Sequence, residues 1–323
     1  MDMIIVTGGA GFIGSCLIRT LNDKGITDIL VVDALGSGTK WRNLVGKKYV
    51  DVVHKTDFLE NLLEGEYGAE IEAIVHLGAC SSTTELDADY LLENNYRYSC
   101  CLAEYAEARN IRFVYASSAA TYGAGEQGYD DRIGAGLKPL NMYGYSKQMF
   151  DEWVQRNGLE SKFAGVKFFN VFGPNEYHKG DMASVIMKSY RQIVETGVIR
   201  LFKSYKPEYA DGAQQRDFIY VKDVVETLYD MIRYGEIRGL YNLGTGQARS
   251  WNDLATAVFA AMKLPSKIEY IEMPESLRKQ YQYFTEADMS KFRQTRIDKP
   301  FTSLEDAVND YVGEYLMRDF AHF

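Results

Sequence analysis

The stretch Met3-Ile-Ile-Val-Thr-Gly-Gly-Ala-Gly-Phe-Ile-Gly14 decides the fold. An apolar run of strand length, Met3 to Thr7, leads straight into Gly9-Ala-Gly-Phe-Ile-Gly14, which satisfies G-x-G-x-x-G, and from Phe12 to Lys24 the pattern turns helical. Asp28 to Asp33 supplies a second apolar run, so the opening of the chain reads as a β-α-β unit. Glycines there permit a tight turn and let the backbone approach a pyrophosphate, whose charge meets the N–H groups at the start of the helix. Asp33, at the end of the second run, stands where a carboxylate can accept hydrogen bonds from an adenosine ribose.

Outward from this unit the alternation continues through Tyr49 to Val53, Glu72 to Leu77, a long helical stretch from Asp87 to Arg109, Arg112 to Ala116, a helix after Asn141, and Ala164 to Phe169. Apolar runs between helices predict a parallel, doubly wound α/β sheet of the Rossmann type. After about residue 170 the loops lengthen. Helices are predicted at Met182 to Glu195, Val221 to Arg233, Trp251 to Met262 and Leu304 to Phe320. The expected organisation is a dinucleotide-binding Rossmann domain over 1–170 and a smaller α/β substrate-binding region over 171–323, with some segments crossing back.

Composition narrows the function classes. With 323 residues, 46% of them hydrophobic, the chain can bury a large core, and its net charge of -9 argues against nucleic-acid or anionic-membrane partners. Cys16, Cys80, Cys100 and Cys101 show no C-x-x-C spacing and His54, His76, His178 and His322 are scattered, so no metal site is expected. No basic leader or long apolar run is visible, and a cytoplasmic location is expected.

Two further patterns carry chemistry. Tyr143-Gly-Tyr-Ser-Lys147 places a phenol and an ammonium one turn apart on a helix, and the ammonium is expected to lower the phenol's pKa toward the range of a base. Ser118, in Tyr115-Ala-Ser-Ser-Ala-Ala-Thr-Tyr122, follows an apolar run, so its hydroxyl should emerge at the carboxyl edge of the sheet, where ligands of such sheets bind. Lys40, Arg42 and Lys55 bring positive charge near the Asp33 ribose position. The carboxylate alone favours NAD, whereas the lysines would permit NADP.

With these motifs in place the chain resembles the extended short-chain dehydrogenase/reductases, the nucleotide-sugar epimerases and dehydratases, over essentially its whole length. The stretches His76 to Glu85, Asn141 to Lys147, Phe169 to Pro174, His178 to Ser184 and Arg216 to Val221 are most similar to the branch that inverts C6 of ADP-glycero-manno-heptose, a sugar of lipopolysaccharide core. The resemblance implies Tyr143 and Lys179 as two acid/base groups. It implies Ser118 as the hydrogen-bond partner of the reacting oxygen, and Lys147 as the group that orients the cofactor ribose and tunes the tyrosine. Two bases suit an inversion, because a proton must be managed in each of two orientations of a transient ketone.

The same resemblance implies cofactor contacts from Gly8, Gly9, Gly11, Phe12, Ile13, Gly14, Asp33, Lys40, Lys55, Leu77, Gly78, Ala79, Cys80, Ser81, Asn94, Tyr143, Lys147 and Val171. It implies substrate contacts from Ser118, Asn170, Lys179, Asp181, Lys188, Phe202, Lys203, Ser204, Tyr205, Arg216 and Tyr281. Arg216 suits a diphosphate because its donors form a fork. NADP as a tightly bound cofactor, with NAD as the other possibility, an ADP-sugar substrate, and a homo-oligomer of about five subunits follow from the resemblance alone.

Three positions depart from the family pattern: Ala34 stands where Asn is usual, Asp181 stands where Ser is usual, and the segment Phe202 to Gln215 is long. Ala119 and Ala120 occupy the place where a dehydratase carries a carboxylate pair, and methyl groups transfer no protons, so dehydration is disfavoured. A UDP-hexose 4-epimerase shares the Ser, Tyr and Lys and stays open as the alternative. A non-catalytic nucleotide-binding scaffold would have no need of Ser118, Tyr143 and Lys147 together.

Overall fold

The apolar runs of the first half become parallel strands, largely buried except for the edge strand Asp51–His54. A computed structural model describes residues 3–67, 71–278 and 281–323. Its strands are β1 (Met3–Thr7), β2 (Ile29–Asp33), β3 (Asp51–His54), β4 (Ile71–His76), β5 (Arg112–Ser118) and β6 (Ala164–Phe168), then β7 (Asn170–Phe172), β8 (Ile199–Phe202), β9 (Gln215–Tyr220), β10 (Gly239–Leu243), β11 (Ala248–Ser250) and β12 (Ile268–Ile271). Seven of them form one parallel sheet in the order β10-β6-β5-β4-β1-β2-β3, as the Rossmann reading requires. Ile4, Ile5 and Val6 are fully buried, because helices cover both faces of the sheet. The strand order reverses between β1 and β4, the crevice where ligands of open α/β sheets bind.

The helices are α1 (Phe12–Asp23), α2 (Lys55–Glu64), α3 (Ala88–Leu91), α4 (Tyr98–Ala108), α5 (Met142–Arg156), α6 (Val185–Thr196), α7 (Val221–Arg233), α8 (Trp251–Ala261), α9 (Glu275–Arg278) and α10 (Leu304–Asp310). Beyond β6 a three-stranded sheet, β11-β9-β7, and a two-stranded one, β12-β8, accompany the later helices. Gly239 to Leu243 returns to the main sheet beside β6. Among the described residues no helix is long and apolar enough to cross a membrane.

Two stretches that read as single helices are broken. Between α3 and α4 the segment Leu92–Arg97 is a π-helical turn. Such a turn redirects side chains, and it carries Asn95, fully buried, toward the backbone of Cys80. After α10 a second π turn, Tyr311–Tyr315, and a 3-10 turn, Leu316–Arg318, replace the expected continuous helix to Phe320. There Tyr311 is drawn inward, where its hydroxyl donates to Glu176 Oε1 at 2.9 Å.

Candidate active site

The glycine loop leaves room for backbone and little else. Gly8 has φ +68°, and a Cβ on it would lie 2.8 Å from Gly78 Cα. A Cβ on Gly14 would meet the Gly8 carbonyl oxygen at 2.2 Å. Helix α1 begins at Gly11 with no side-chain cap and no acidic residue in its first turn, so its leading N–H groups stay free for an anion. The loop therefore has the shape and polarity of a pyrophosphate cradle.

At the end of β2 the Asp33 carboxylate is almost fully engaged. Oδ2 accepts from Ala10 N at 2.9 Å, and Oδ1 accepts from Ala34 N at 2.7 Å and from Lys40 Nζ at 2.6 Å. Asp33 is nearly buried, and the ion pair with Lys40 offsets its charge beside the position expected for the ribose. Lys55 Nζ donates to Asn94 Oδ1 on the π turn.

The reacting groups come from neighbouring elements. Ser118 ends β5, and its Oγ accepts from Ala120 N at 3.1 Å, which turns the chain away from the sheet. Asn141 caps α5 by accepting from Gly144 N at 2.8 Å, so Tyr143 falls in the first turn and Lys147 one turn further. Asn95 ties this helix to the β4 loop. It exchanges hydrogen bonds with the Cys80 backbone at 2.8 and 2.9 Å and donates to Ser146 Oγ at 3.1 Å, and Ser146 in turn donates to the Tyr143 carbonyl at 2.7 Å.

Burial, rather than the neighbouring ammonium, dominates the Tyr143 phenol. Desolvation raises its pKa and the neighbouring Ser118 hydroxyl only partly offsets this, which reverses the lowering expected from Lys147. Lys147 is itself pushed down to about 8, by desolvation first, with Asp151 opposing and Lys167 assisting. Lys179, in the segment Tyr177–Met182, is lowered by desolvation against the opposing charge of Glu176, and its Nζ lies 5.6 Å from the centre of the Phe12 ring. A phenol that burial holds to its proton and an ammonium that burial makes easier to deprotonate can serve as donor and acceptor of protons.

One cleft of about 760 Å³ gathers Gly8, Gly11, Phe12, Ile13, Gly14, Asp33, Lys40, Lys55, Leu77 to Ser81, Asn94, Ser118, Tyr143, Lys147, Asn170, Val171 and Lys179. Gly9 packs behind it against Val31 and Val6. Among the described residues, Lys40, Lys55, Lys147 and Lys179 face Asp33 as the sole carboxylate of the lining, so a chain of net charge -9 keeps a cationic cleft suited to phosphates.

Several expected substrate residues lie off this lining. Lys188 Nζ donates to the Asp181 carbonyl at 2.6 Å, Lys203 pairs with Glu272 at 2.8 Å, and Tyr205 also donates to Glu272. Phe202 and Ser204 accompany them at the end of β8. Arg216 is buried between the rings of Trp251 and Tyr281, at 5.6 and 5.4 Å, and donates to the carbonyls of Gln215 and Gln282. Gln282 does line the cleft, so Arg216 stands one residue behind it.

No sequence motif marks Asn95, nor Tyr90, Met182, Gln282 and Thr285, which line the cleft. An Asn in the middle of a helical stretch, or a Gln far along the chain, carries no local pattern that marks it. A second cavity of about 580 Å³ lies behind His178, lined among others by Trp41, Arg42, Arg191 and His322. Among the described residues no cluster of His, Cys, Asp and Glu could hold a metal ion.

A family model, the NAD dependent epimerase/dehydratase family, matches residues 4–244. The chain belongs to this family. An ADP-L-glycero-D-manno-heptose-6-epimerase of Nitratidesulfovibrio vulgaris is 56% identical over 316 residues, covering 97% of this chain and 98% of the other. The enzyme of that name from Fusobacterium nucleatum is 48% identical over 328 residues, covering 98% and 99%. Among solved structures, the Helicobacter pylori ADP-L-glycero-D-manno-heptose-6-epimerase superposes with a TM-score of 0.81 at 27% identity, over 97% of this chain and 96% of that one. A UDP-glucose 4-epimerase of Thermotoga maritima superposes with a TM-score of 0.80 at 23% identity, which speaks to the shared epimerase fold alone.

Proposed function

We propose that this member of the epimerase/dehydratase family inverts C6 of ADP-glycero-manno-heptose, by oxidation of the carbinol to a ketone and re-reduction from the other face. The observation that carries the reading is that Tyr143, from α5, and Lys179, from the loop after β7, enter one cleft from separate elements. Relatives of that name at 56% and 48% identity over nearly the whole chain support the sugar.

Ser118 holds the reacting oxygen beside Tyr143, whose phenol, kept protonated by burial, protonates the ketone oxygen in one orientation. Lys179, whose ammonium burial makes easier to deprotonate, serves as the amine that takes the carbinol proton in the other. A bound nicotinamide dinucleotide supplies the acceptor and then the donor of hydride. Gly8 to Gly14 would hold its pyrophosphate, and Lys147 its nicotinamide ribose. Of the two dinucleotides we favour NADP, because Asp33 is already neutralised by Lys40 and no longer repels a 2'-phosphate.

Incubation with ADP-D-glycero-D-manno-heptose, followed by proton NMR of the sugar, tests this. The expected result is a mixture of the two C6 epimers with no net change in dinucleotide redox state, and a 2'-phosphate on the dinucleotide released by denaturation. An unchanged heptose alongside epimerised UDP-glucose would move the assignment to a 4-epimerase.

A further inference from the structure

Beneath the cleft, Lys167 of β6 is almost wholly buried, with 1% of its side chain exposed. Its Nζ donates to Asp151 Oδ2 at 2.7 Å and to Thr121 Oγ1 at 2.6 Å, and lies 5.1 Å from the centre of the Tyr122 ring. Asp151 sits on α5 one turn beyond Lys147, and its Oδ2 also accepts from Ser117 Oγ at 2.6 Å. Thr121 Oγ1 passes the chain on by donating to the Ser118 carbonyl at 2.8 Å. Ser117 and Lys167 are register partners on adjacent strands.

A buried ion pair is a poor way to stabilise a fold, since apolar residues of similar volume often do as well or better. This one also leaves Asp151 Oδ1 buried with no partner, a desolvation penalty that packing alone would remove. Its location is the informative feature. One arm grips the residue before Ser118, the other grips the Ser118 carbonyl, and the carboxylate lies on the helix that presents Tyr143 and Lys147.

We propose that Asp151 and Lys167 are a positioning pair for the reaction, fixing the Ser118 turn against α5 and setting the local charge in which Lys147 works. The proposal rests on the reading of Ser118, Tyr143 and Lys147 as the reacting group. The charges acting on Lys147 come from each element around it. Asp151 on its own helix favours the ammonium and Lys167 on β6 disfavours it, while His76 on β4 stays neutral and Tyr143 stays protonated.

Two charges of opposite sign predict opposite consequences, which a purely structural role does not. In protein carrying ¹³Cε-labelled lysine, with the Lys147 resonance assigned by its loss in Lys147→Arg, Asp151→Asn lowers the Lys147 titration by at least about half a pH unit, a threefold change in acidity. Lys167→Met raises it by a similar amount, Lys167→Arg leaves it near the starting value, and the double variant Asp151→Asn/Lys167→Met returns toward it. Should Lys167→Met fail to fold through its stranded carboxylate, the comparison of Asp151→Asn with the neutral double variant carries the same sign test. Shifts of one sign, or none, overturn the pair. The titration needs no substrate, so a protein inert toward the heptose but showing opposed shifts would remove the sugar reading and leave the positioning pair standing.

Discussion

A methyl group on Gly14 would lie 2.2 Å from the Gly8 carbonyl oxygen and 2.8 Å from Gly9 Cα, both of them backbone that cannot swing aside. Gly14→Ala is therefore expected to weaken dinucleotide binding at least about tenfold, read by fluorescence titration, as the loop shifts out of its cradle geometry. Tyr143→Phe keeps the ring and removes the proton, so turnover should fall by about a hundredfold to ten-thousandfold with the substrate KM changed far less. Lys179→Met should do the same. The glycine loop and the Tyr143–Lys147 pair were legible in the sequence because spacing encodes their geometry, whereas Lys179 came from the family resemblance alone. The pKa of Tyr143 was not, because the burial that raises it comes from elements remote in the chain.

At the scale of elements, the strands up to Phe168 followed directly from the apolar runs, while the later strands and the interruptions of helices did not. The stretch from Asp87 to Arg109 keeps a helical composition throughout, and what breaks it is the tertiary pull of Asn95 toward Cys80, invisible to local periodicity. Asn95→Leu would remove the partner of the part-buried Cys80 N–H and C=O, and of Ser146 Oγ. At about 0.5–1.5 kcal/mol for each lost hydrogen bond, a stability loss of about 1–3 kcal/mol is expected in denaturant melts, together with weaker dinucleotide binding. Gly239 to Leu243 likewise gave no hint, by composition, that it extends the main sheet beside β6. Pairing between segments so distant in sequence is set by packing, which a window of residues does not contain.

For the whole molecule, the doubly wound sheet was readable from the order of its elements, whereas the network that links β1, β4 and α4 was not. His76 accepts from Thr7 Oγ1 at 2.7 Å through Nδ1 and donates to Ser99 Oγ at 2.8 Å through Nε2, a tautomer set by Ser99 donating to the Asn95 carbonyl. Burial pushes its pKa down to about 3, from an unfolded value near 6.5. Between those values the unfolded chain binds a proton that the folded one does not. Stability is thus fully present above about pH 6.5 and lost as pH falls toward 3, by about 1.4 kcal/mol per pH unit from this group. Denaturant midpoints measured from pH 7 to pH 4 should fall steeply, and less steeply in His76→Gln.

Substrate carrying deuterium at C6, turned over in ordinary water and read by mass spectrometry and NMR, asks most directly whether one carbinol is oxidised and re-reduced inside this cleft. If the hydrogen leaves and returns without meeting solvent, the inverted product keeps its deuterium at C6. Loss of the label to water during inversion would mean that the carbon is deprotonated instead, and the roles given to Tyr143, Lys179 and Ser118 would be wrong.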